Sequence, residues 1–215
     1  MLPTALPDFL SDLQKRIHGE LRTDEFSCVQ YSTDASIHQV MPYGVLIPKS
    51  MDDVQAAIEL AAKRRIPVLP RTAGTSLAGQ ATNAALVIDA VPHLNKIVEI
   101  NPDEKWVRVQ PGVVLSHLNN ALRPHGLQFG PDPASGNRAA MGGVIGNNAT
   151  GSHSIMYGMS ADHVLGTDVI LADGSHASFG FLSKDELRHK TQSRGFLGDL
   201  YSQVWDATQL ESNQA

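Results

Sequence analysis

The residues of this chain with the most specific chemistry lie in a glycine-punctuated segment, Pro70-Arg71-Thr72-Ala73-Gly74-Thr75-Ser76-Leu77-Ala78-Gly79-Gln80. Two glycines and several small residues leave one face of this backbone bare, so consecutive N–H groups can converge on an anion such as a phosphate. The spacing Gly74-x-x-x-x-Gly79 approaches that of a nucleoside-triphosphate loop, but such a loop needs Lys and then Ser or Thr after the second glycine. Gln80 and Ala81 stand there instead, and a strand-like segment follows in place of a helix. We therefore predict that the segment holds the pyrophosphate of a dinucleotide.

A second glycine-rich segment, residues 130–151, could contribute to the same ligand. Pro131 and Pro133 stiffen its start, Ser135 offers a hydroxyl group, and residues 139–149 carry almost no bulky side chains. A helix that begins near Met141 would present bare N–H groups and the positive end of its dipole to a phosphate or to a ring carbonyl. Small residues also permit close packing of helices, and this segment alone leaves both explanations open. The presence of the first segment favours the ligand.

Other side chains could do chemistry, but for most of them a structural role is the favoured interpretation. His153 could approach a bound ring, yet packing or capping is preferred to covalent attachment. Asp132, between two prolines, is predicted to fix its loop through an Asx turn rather than to act as a base. Tyr157 is predicted to pack in the core or at a hinge, and His163 to form a hydrogen bond between two lobes. For Arg71, a contact with a phosphate oxygen and an ion pair with a surface carboxylate both remain open, with the phosphate preferred.

The first glycine-rich segment lies inside an alternating pattern of strands and helices. Residues 45–48 predict a buried strand, a helix follows Ser50 and runs to about Arg65, and residues 66–69 predict a second strand. Such strand–helix–strand units are parallel and right-handed in nearly all cases. A third strand is predicted at residues 85–89, so the segment connects two strands of a parallel lobe.

The flanking elements are predicted from apolar periodicity and turn residues. One helix is expected over residues 8–22, with Asp8 as its N-cap and an apolar stripe of Phe9, Leu10, Leu13, Ile17 and Leu21. Residues 96–100 and 106–110 predict a β-hairpin, and residues 115–122 predict a helix. A strand over residues 164–175 is expected to end in an Asp-Gly hairpin turn, and the polar tail after Ser183 is compatible with a helix.

Composition excludes several classes of protein. With 215 residues, 42% of them hydrophobic and 18% charged, the chain can bury a core and is not expected to be disordered. A net charge of −5 with scattered basic residues argues against nucleic-acid binding. The single Cys28 excludes internal disulfides and a cysteine-ligated iron–sulfur cluster within the chain, and the nine histidines lack metal-ligand spacing, so no metal site is predicted. No apolar run approaches the roughly 20 residues of a membrane span, and no secretory signal is visible. A cytoplasmic protein, or a subunit lying on a membrane partner, is expected.

Four ordered motifs resemble the FAD-linked oxidase family, which has the PCMH-type FAD-binding domain of the vanillyl-alcohol oxidase relatives. The motifs are residues 70–80, 131–135, 140–149 and 157–166, followed by Val169-Ile170-Leu171-Ala172-Asp173-Gly174. Glycolate oxidase flavoprotein subunits and D-lactate or D-2-hydroxyglutarate dehydrogenases belong to this family. Residues 31–36 and 41–45 most resemble its large members, which are fused to a carboxy-terminal iron–sulfur region. The resemblance covers about residues 25–182.

The resemblance implies an α+β fold of two lobes with noncovalent FAD between them. A small parallel β/α lobe would span about residues 40–90 and a larger mixed-sheet lobe about residues 91–182. This FAD-binding domain, residues 38–182, would lie between a helical N-terminal extension, residues 1–37, and a polar helical tail, residues 183–215, that could start a missing domain. By the resemblance the pyrophosphate would be bound by Arg71, Thr72, Ala73, Gly74, Thr75, Ser76, Gly79 and Gln80, with Pro133 and Ser135 beside it. Met141, Gly142, Gly143 and Asn147 would face the ribityl chain or ring, and the Ile170 backbone the adenine or ring.

Family members of this kind carry their substrate-binding residues and any metal ligands in a cap domain after the FAD domain, and this chain stops about where that cap would begin. The resemblance therefore implies an FAD-binding domain or fragment of an oxidoreductase that oxidises a small D-2-hydroxy acid by hydride transfer to FAD. No catalytic residue is assigned in the chain, and an iron–sulfur region or subunit is the implied electron acceptor. The chain is expected to be a fragment, a truncated gene product or one subunit of a split enzyme. A noncatalytic module that binds FAD or a partner subunit is the alternative.

Overall fold

The computed structural model describes residues 3–212, with side chains up to residue 209. Its helices are α1 (Leu6–Gln14), α2 (Glu25–Gln30), α3 (Met51–Arg64), α4 (Leu115–Leu122), α5 (Met141–Gly146), α6 (Ser154–Tyr157), α7 (Lys184–Thr191) and α8 (Phe196–Ser212). Its strands are β1 (Glu20–Arg22), β2 (Gly44–Ile47), β3 (Val68–Arg71), β4 (Leu86–Asp89), β5 (Ile97–Asn101), β6 (Trp106–Val109), β7 (Gly166–Ile170) and β8 (His176–Gly180). The chain divides into two compact units, one ending at Val164 and the other beginning at Leu165. Within residues 3–212, no helix is long and apolar enough to cross a membrane.

A four-stranded sheet in the order β1-β2-β4-β3 forms the base of the first unit. β4 pairs in parallel with both β2 and β3, whereas β1 pairs antiparallel with β2. The parallel strand–helix–strand prediction is therefore confirmed, with the third strand inserted between the other two. Parallel strands end at a common edge, and α/β proteins bind ligands beyond that carboxyl edge. The connection from β3 to β4, residues 72–85 and hereafter the β3–β4 loop, starts from this edge.

The core of this sheet packs against α1 and α3. Phe9, Leu13 and Leu60 are buried against Leu46 and Leu86 in one apolar cluster. The hydroxyl group of Ser50 caps α3 by accepting the Asp53 N–H at 3.4 Å, and the helix ends at Arg65, which is left-handed with φ 55°. The bounds predicted for this helix are confirmed, and the helix holds the sheet from which the β3–β4 loop emerges.

The helix predicted over residues 8–22 is wrong beyond Gln14. Pro7 lies in the first turn of α1 after the N-cap Ala5, and residues 20–22 form β1. The chain leaves the helix because the His18 N–H donates to the buried Asp53 carboxylate at 2.7 Å, and because Gly19 passes close to β2. A Cβ on Gly19 would lie 2.5 Å from the Ile47 carbonyl oxygen. Asp8 is a first-turn residue rather than the N-cap.

The second layer of the first unit is a β-hairpin covered by two helices. β5 and β6 pair antiparallel, as predicted, and α4 occupies the predicted residues 115–122. Leu118 and Leu122 of α4 and Met141 of α5 form one cluster with apolar side chains of the hairpin. This packing fixes α5, which carries part of the second glycine-rich segment.

The unit that begins at Leu165 consists of one hairpin and two helices. β7 and β8 pair antiparallel, and β7 ends at Ile170 rather than at the predicted Ser175. The strand stops there because the Leu171 N–H donates to the Ser175 carbonyl at 2.8 Å, which closes the turn around Asp173-Gly174. The hairpin itself and the helical tail, now α7 and α8, are confirmed.

Candidate cofactor site

The β3–β4 loop presents a run of unused backbone donors. None of the N–H groups of residues 72–77 donates to an acceptor within residues 3–212. Gly74 and Gly79 have φ angles of +65° and +79°, which only glycine adopts without strain. Consecutive free N–H groups with a left-handed residue among them form a concavity that binds anions. The loop geometry therefore agrees with the anion site predicted from the sequence.

Arg71, at the end of β3, bonds through its guanidinium group to the loop and to residues 31–33. Nη1 donates to the carbonyl oxygens of Tyr31 at 3.1 Å and Ala81 at 2.8 Å, and Nη2 donates to that of Thr33 at 2.9 Å. The guanidinium carbon also lies 5.3 Å from the centre of the Tyr31 ring, and burial lowers the pKa of the group. The sequence left a phosphate oxygen and a surface carboxylate open as partners of Arg71. In the structure its guanidinium group donates instead to three main-chain carbonyls.

The segment of residues 31–35 contacts the β3–β4 loop at further points. The Ala35 N–H donates to the Gly74 carbonyl at 3.2 Å, and the Asp34 carboxylate accepts the Ala81 N–H at 3.3 Å. Partial burial raises the pKa of the Asp34 carboxyl, but hydrogen bonds from Ser36 and Ala81 outweigh it and leave that pKa below its usual value. Sequence reasoning missed this role of residues 31–35, because these contacts join parts of the chain about forty residues apart.

An open cleft of about 440 Å³ adjoins the loop at the carboxyl edge of β3 and β4. It is lined by Gln30, Tyr31, Arg71, Thr72, Ala73, Asp89 and Val91. In its wall the Tyr31 hydroxyl donates to the buried Asp89 carboxylate at 2.6 Å. Burial, followed by this hydrogen bond, raises the pKa of the Tyr31 phenol, so it stays protonated as a donor. The Val91 N–H donates to the other Asp89 oxygen at 2.9 Å, which leaves the buried carboxylate fully partnered.

The N-terminus of α5 does not offer the bare N–H groups expected from the sequence. The Met141 N–H donates to Val113 and the Gly142 N–H to Pro111, both at 2.8 Å, and the Gly143 N–H turns back to Ala140. The Met141 side chain is buried in the cluster around α4, and a Cβ on Gly142 would lie 2.7 Å from Pro111. The expectation of free donors is therefore wrong. Close packing, the alternative that the sequence left open, explains Gly142, and ligand contacts by Met141 and Gly142 stay a prediction.

The outer side of α5 is held against the β3–β4 loop. A Cβ on Gly143 would lie 2.4 Å from the Thr72 hydroxyl oxygen, so a larger residue there would displace the Thr72 hydroxyl group. The Gln80 amide donates to Asn147 at 3.0 Å, and the Ser76 hydroxyl contacts Gln80. The structure thus brings together the predicted residues of the first segment with Gly143 and Asn147 of the second.

Pro133 and Ser135 lie in a turn before α5. Their carbonyl groups accept the N–H groups of Gly136 at 2.7 Å and Ala139 at 2.7 Å. These hydrogen bonds stay within the turn, so a position beside the pyrophosphate remains a prediction for both residues. Ile170 belongs to the other unit, where it pairs with His176 at the end of β7, and its contact with the cofactor also remains a prediction.

Asp132 fixes its loop, although by long-range contacts rather than a local turn. Its carboxylate accepts the His153 N–H at 2.8 Å and the Ser152 hydroxyl at 3.1 Å, and it lies 2.6 Å from His153 Nδ1. The backbone N–H of His153 is the main reason that the pKa of Asp132 lies below its usual value. His163 contacts the Tyr157 carbonyl oxygen through Nε2 at 2.8 Å. Among residues 3–212, no three His, Cys, Asp or Glu side chains are grouped as metal ligands.

Comparison with known proteins assigns the family. The sequence model of the FAD binding domain matches residues 42–180. The chain belongs to the FAD binding domain family. The cofactor predicted from the sequence, FAD, is therefore confirmed.

Curated relatives of the chain include D-2-hydroxyglutarate dehydrogenases and glycolate oxidase subunits. The chain is 37% identical over 202 residues to a D-2-hydroxyglutarate dehydrogenase of Escherichia coli, an alignment that covers 92% of the chain and 20% of that protein. It is 35% identical over 159 residues to the glycolate oxidase subunit GlcD of Bacillus subtilis, covering 72% of the chain and 34% of that protein. The chain thus spans about a fifth of the length of the dehydrogenase and about a third of the length of the oxidase subunit.

Solved structures agree on the fold. An alkyldihydroxyacetonephosphate synthase matches 81% of the chain with a TM-score of 0.70 at 19% identity, and the match covers 34% of that protein. A xylooligosaccharide oxidase from Myceliophthora thermophila matches 82% of the chain with a TM-score of 0.68 at 22% identity, and 37% of that protein is covered. The α+β fold of PCMH-type FAD-binding domains is confirmed.

Proposed function

We propose that the chain binds FAD with the pyrophosphate seated on the backbone N–H groups of residues 72–77. The observation that carries this proposal is the run of six consecutive donors without an acceptor in residues 3–212. These residues are partly or fully exposed, so their N–H groups are accessible to a ligand, and a phosphate oxygen can accept several of them at once through charge-assisted hydrogen bonds. Thr75 adds a hydroxyl donor, and Gly74 and Gly79 supply the left-handed turns of the loop.

The second glycine-rich segment supports the site by packing closely against the β3–β4 loop rather than by offering free N–H donors. Gly143 lets α5 approach Thr72, and Asn147 holds Gln80, so the loop has a rigid wall on the side of α5. We propose that Met141, Gly142, Gly143 and Asn147 line the path of the ribityl chain, with Pro133 and Ser135 near the phosphates. The Ile170 backbone is proposed to contact the adenine or the ring. In the β3–β4 loop the backbone is proposed to do most of the binding, which makes the glycines more sensitive to substitution than the polar side chains.

The whole protein is proposed to oxidise a small D-2-hydroxy acid. Support comes from the relatives, which include D-2-hydroxyglutarate dehydrogenases and glycolate oxidase subunits. When bound, FAD supplies a hydride acceptor, and the protein orients it and tunes its electronics. The residues described here bind and orient the cofactor, and substrate recognition is assigned to parts of the protein outside this chain.

Three further parts of the proposal concern organisation. The FAD-binding domain is proposed to occupy residues 38–182, with an extension before it and a tail after it. The electron acceptor is proposed to be an iron–sulfur region or subunit, which the lone, buried Cys28 of this chain does not provide. The single cysteine also favours a reducing compartment, and we propose the cytoplasm.

Flavin binding by the purified chain tests the site. FAD, FMN and riboflavin are titrated in turn while flavin fluorescence is followed, and flavin bound during purification is identified after denaturation. We expect FAD to bind at least about 100-fold more tightly than riboflavin, because riboflavin lacks the phosphates that the loop would hold. Equal affinity for the two, or no binding of FAD, would overturn the pyrophosphate assignment. D- and L-2-hydroxyglutarate as electron donors for the whole protein then test the substrate class, and a preference for the L form would contradict it.

A further inference from the structure

The Arg71 side chain holds the shape of the β3–β4 loop through hydrogen bonds to main-chain carbonyl oxygens. Its two terminal nitrogens reach three carbonyl oxygens, two of them in residues 31–33 and the third at Ala81 near the far end of the loop. A guanidinium group has donors in a fixed planar fork, so one Arg can join three backbone segments in a way that Lys cannot. The side chain therefore ties the loop to the segment between α2 and β2.

Gly74 and Asp34 complete this arrangement. The Arg71 guanidinium occupies the space where a side chain at Gly74 would begin, since a Cβ there would lie 2.4 Å from Nη2. The Gly74 carbonyl then accepts the Ala35 N–H, and the Asp34 carboxylate accepts the Ala81 N–H. Two hydrogen bonds thus join residues 31–35 directly to the loop. The three bonds from Arg71, two to residues 31–33 and one to Ala81, join the same segment to the loop through the guanidinium group. Residues 31–35 precede the range matched by the FAD binding domain, residues 42–180.

We propose that Arg71 and residues 31–35 are positioning elements, which hold the N–H groups of residues 72–77 in the geometry that receives the pyrophosphate. Arg71 acts through main-chain carbonyl oxygens, which accept three of its five N–H donors. The Asp34 carboxylate acts through the Ala81 N–H, although its negative charge near an anion site opposes binding. The inference rests on the proposed function, because it specifies how the proposed FAD site is built.

The substitution Asp34→Ala is the most discriminating test, because the charge of Asp34 and its positioning role predict opposite changes in FAD affinity. If simple electrostatics governed the site, Asp34→Ala would remove a negative charge and tighten FAD binding. If Asp34 positions the loop, the same substitution loosens the loop and weakens binding. We expect Asp34→Ala to raise the FAD dissociation constant about 10-fold, the equivalent of one lost hydrogen bond of about 1.4 kcal/mol. A lower or unchanged dissociation constant would overturn the inference.

Arg71→Lys separates positioning from direct phosphate binding. Lys keeps the positive charge, so it should sustain a phosphate contact but not the three carbonyl bonds. We expect an increase in the FAD dissociation constant of about 30-fold, because three charge-assisted bonds that preorganise the loop are lost. Retention of affinity within about 3-fold would contradict the positioning role and favour the phosphate contact. Arg64→Lys is the matched control, since the Arg64 side chain is also partly buried and bonds to Asp12 at 2.6 Å on the α1–α3 side of the sheet. It should leave the FAD affinity unchanged.

Amide hydrogen exchange of the FAD-free chain tests the positioning elements without the cofactor. The Ala35 N–H reports the contact with Gly74, and it should exchange at least about 10-fold faster in Arg71→Lys and Asp34→Ala but not in Arg64→Lys. Faster exchange with no FAD binding by the unsubstituted chain would refute the proposed function but retain the structural link. FAD binding with unchanged Ala35 exchange in both variants would refute the inference and leave the proposed function standing.

Discussion

A comparison of Gly74 with Gly126 separates the cost of backbone strain from the cost of displacing the Arg71 side chain. Their φ angles are nearly equal, +65° and +68°. A Cβ on Gly126 would meet nothing within 4 Å, whereas a Cβ on Gly74 would lie 2.4 Å from Arg71 Nη2 and 2.8 Å from its Cζ. Replacing each with alanine therefore imposes the same backbone penalty, and only Gly74→Ala also displaces a guanidinium group.

The expected magnitudes follow from these contacts. An L-residue in the left-handed region costs about 1–2 kcal/mol, so Gly126→Ala should lower the free energy of unfolding by about 1 kcal/mol. Gly74→Ala adds the loss of the bond from Nη2 to the Thr33 carbonyl, a hydrogen bond from a charged group worth about 1.5–3 kcal/mol when it is shielded from water. Arg71 is half-buried, and the lower end of this range applies. We expect Gly74→Ala to cost about 2.5 kcal/mol in total, with a difference of about 1.5 kcal/mol between the two variants.

Urea unfolding of both variants, followed by circular dichroism, measures the difference, and an FAD titration of each adds a functional readout. Gly126→Ala should bind FAD like the unsubstituted chain, whereas Gly74→Ala should bind it at least about 10-fold more weakly because Arg71 no longer fixes the loop. Equal free energies of unfolding for the two variants, within about 0.5 kcal/mol, would refute the argument that Gly74 is required to seat Arg71.

Three further predictions concern α5, Tyr31 and Asp132. Gly143→Ala should force the Thr72 hydroxyl aside and weaken FAD binding, and the effect should be smaller in a Thr72→Ala background. Gly146→Ala is the control, because a Cβ there meets nothing within 4 Å, and it should leave FAD binding unchanged. Additive effects of Gly143→Ala and Thr72→Ala on the FAD dissociation constant would argue against the contact. Tyr31→Phe should lower the free energy of unfolding by about 1–3 kcal/mol because the buried Asp89 carboxylate loses its phenol donor, and a change below about 0.5 kcal/mol in urea unfolding would contradict this. The hydrogen bond from the His153 N–H depresses the pKa of Asp132, so its stabilising effect is present above the ordinary value of 3.8 and is lost as the pH falls through the lower value of the folded chain. The His153 amide resonance should therefore titrate with a midpoint below 3.8 and stay flat in Asp132→Asn, and a midpoint above 3.8 would show that the carboxylate is not stabilised.

Local sequence signals were sufficient for the parallel lobe and for the loop that it carries. Apolar runs, the Ser50 cap and the position of the glycines predicted β2, α3, β3 and β4 to within a few residues. The anion site followed from the same signals, because the left-handed φ angles of Gly74 and Gly79 are properties of the loop itself. Where an element depends on a distant partner, these signals failed. The stripe that continues past Gln14 is apolar, but the His18 N–H is taken by the buried Asp53, and the chain turns into β1.

The parts of the site that the sequence did not predict depend on which groups form hydrogen bonds with main-chain N–H and C=O groups. A six-residue helix at residues 141–146 has the composition of an anion-binding N-terminus, yet Val113 and Pro111 occupy its first two N–H groups. Arg71 has the character of a phosphate ligand, yet its donors meet main-chain carbonyls. In both cases the residue type was informative but the partner could not be predicted, since every partner except the Ala81 carbonyl lies about thirty to forty residues away along the chain.

Glycine therefore serves different physical purposes in the two glycine-rich segments, and the two segments contribute differently to the candidate site. In the β3–β4 loop, glycine permits left-handed turns that leave donors free for an anion. In α5, Gly142 and Gly143 have ordinary φ angles, and what they permit is the approach of the helix to Pro111 and Thr72. A helix whose N–H groups are already satisfied gains nothing from an anion, but it can hold the neighbouring loop at a fixed distance. The phosphate affinity of this domain should accordingly depend on the free amides of residues 72–77, and α5 should affect it only through Thr72 and Gln80, which it touches.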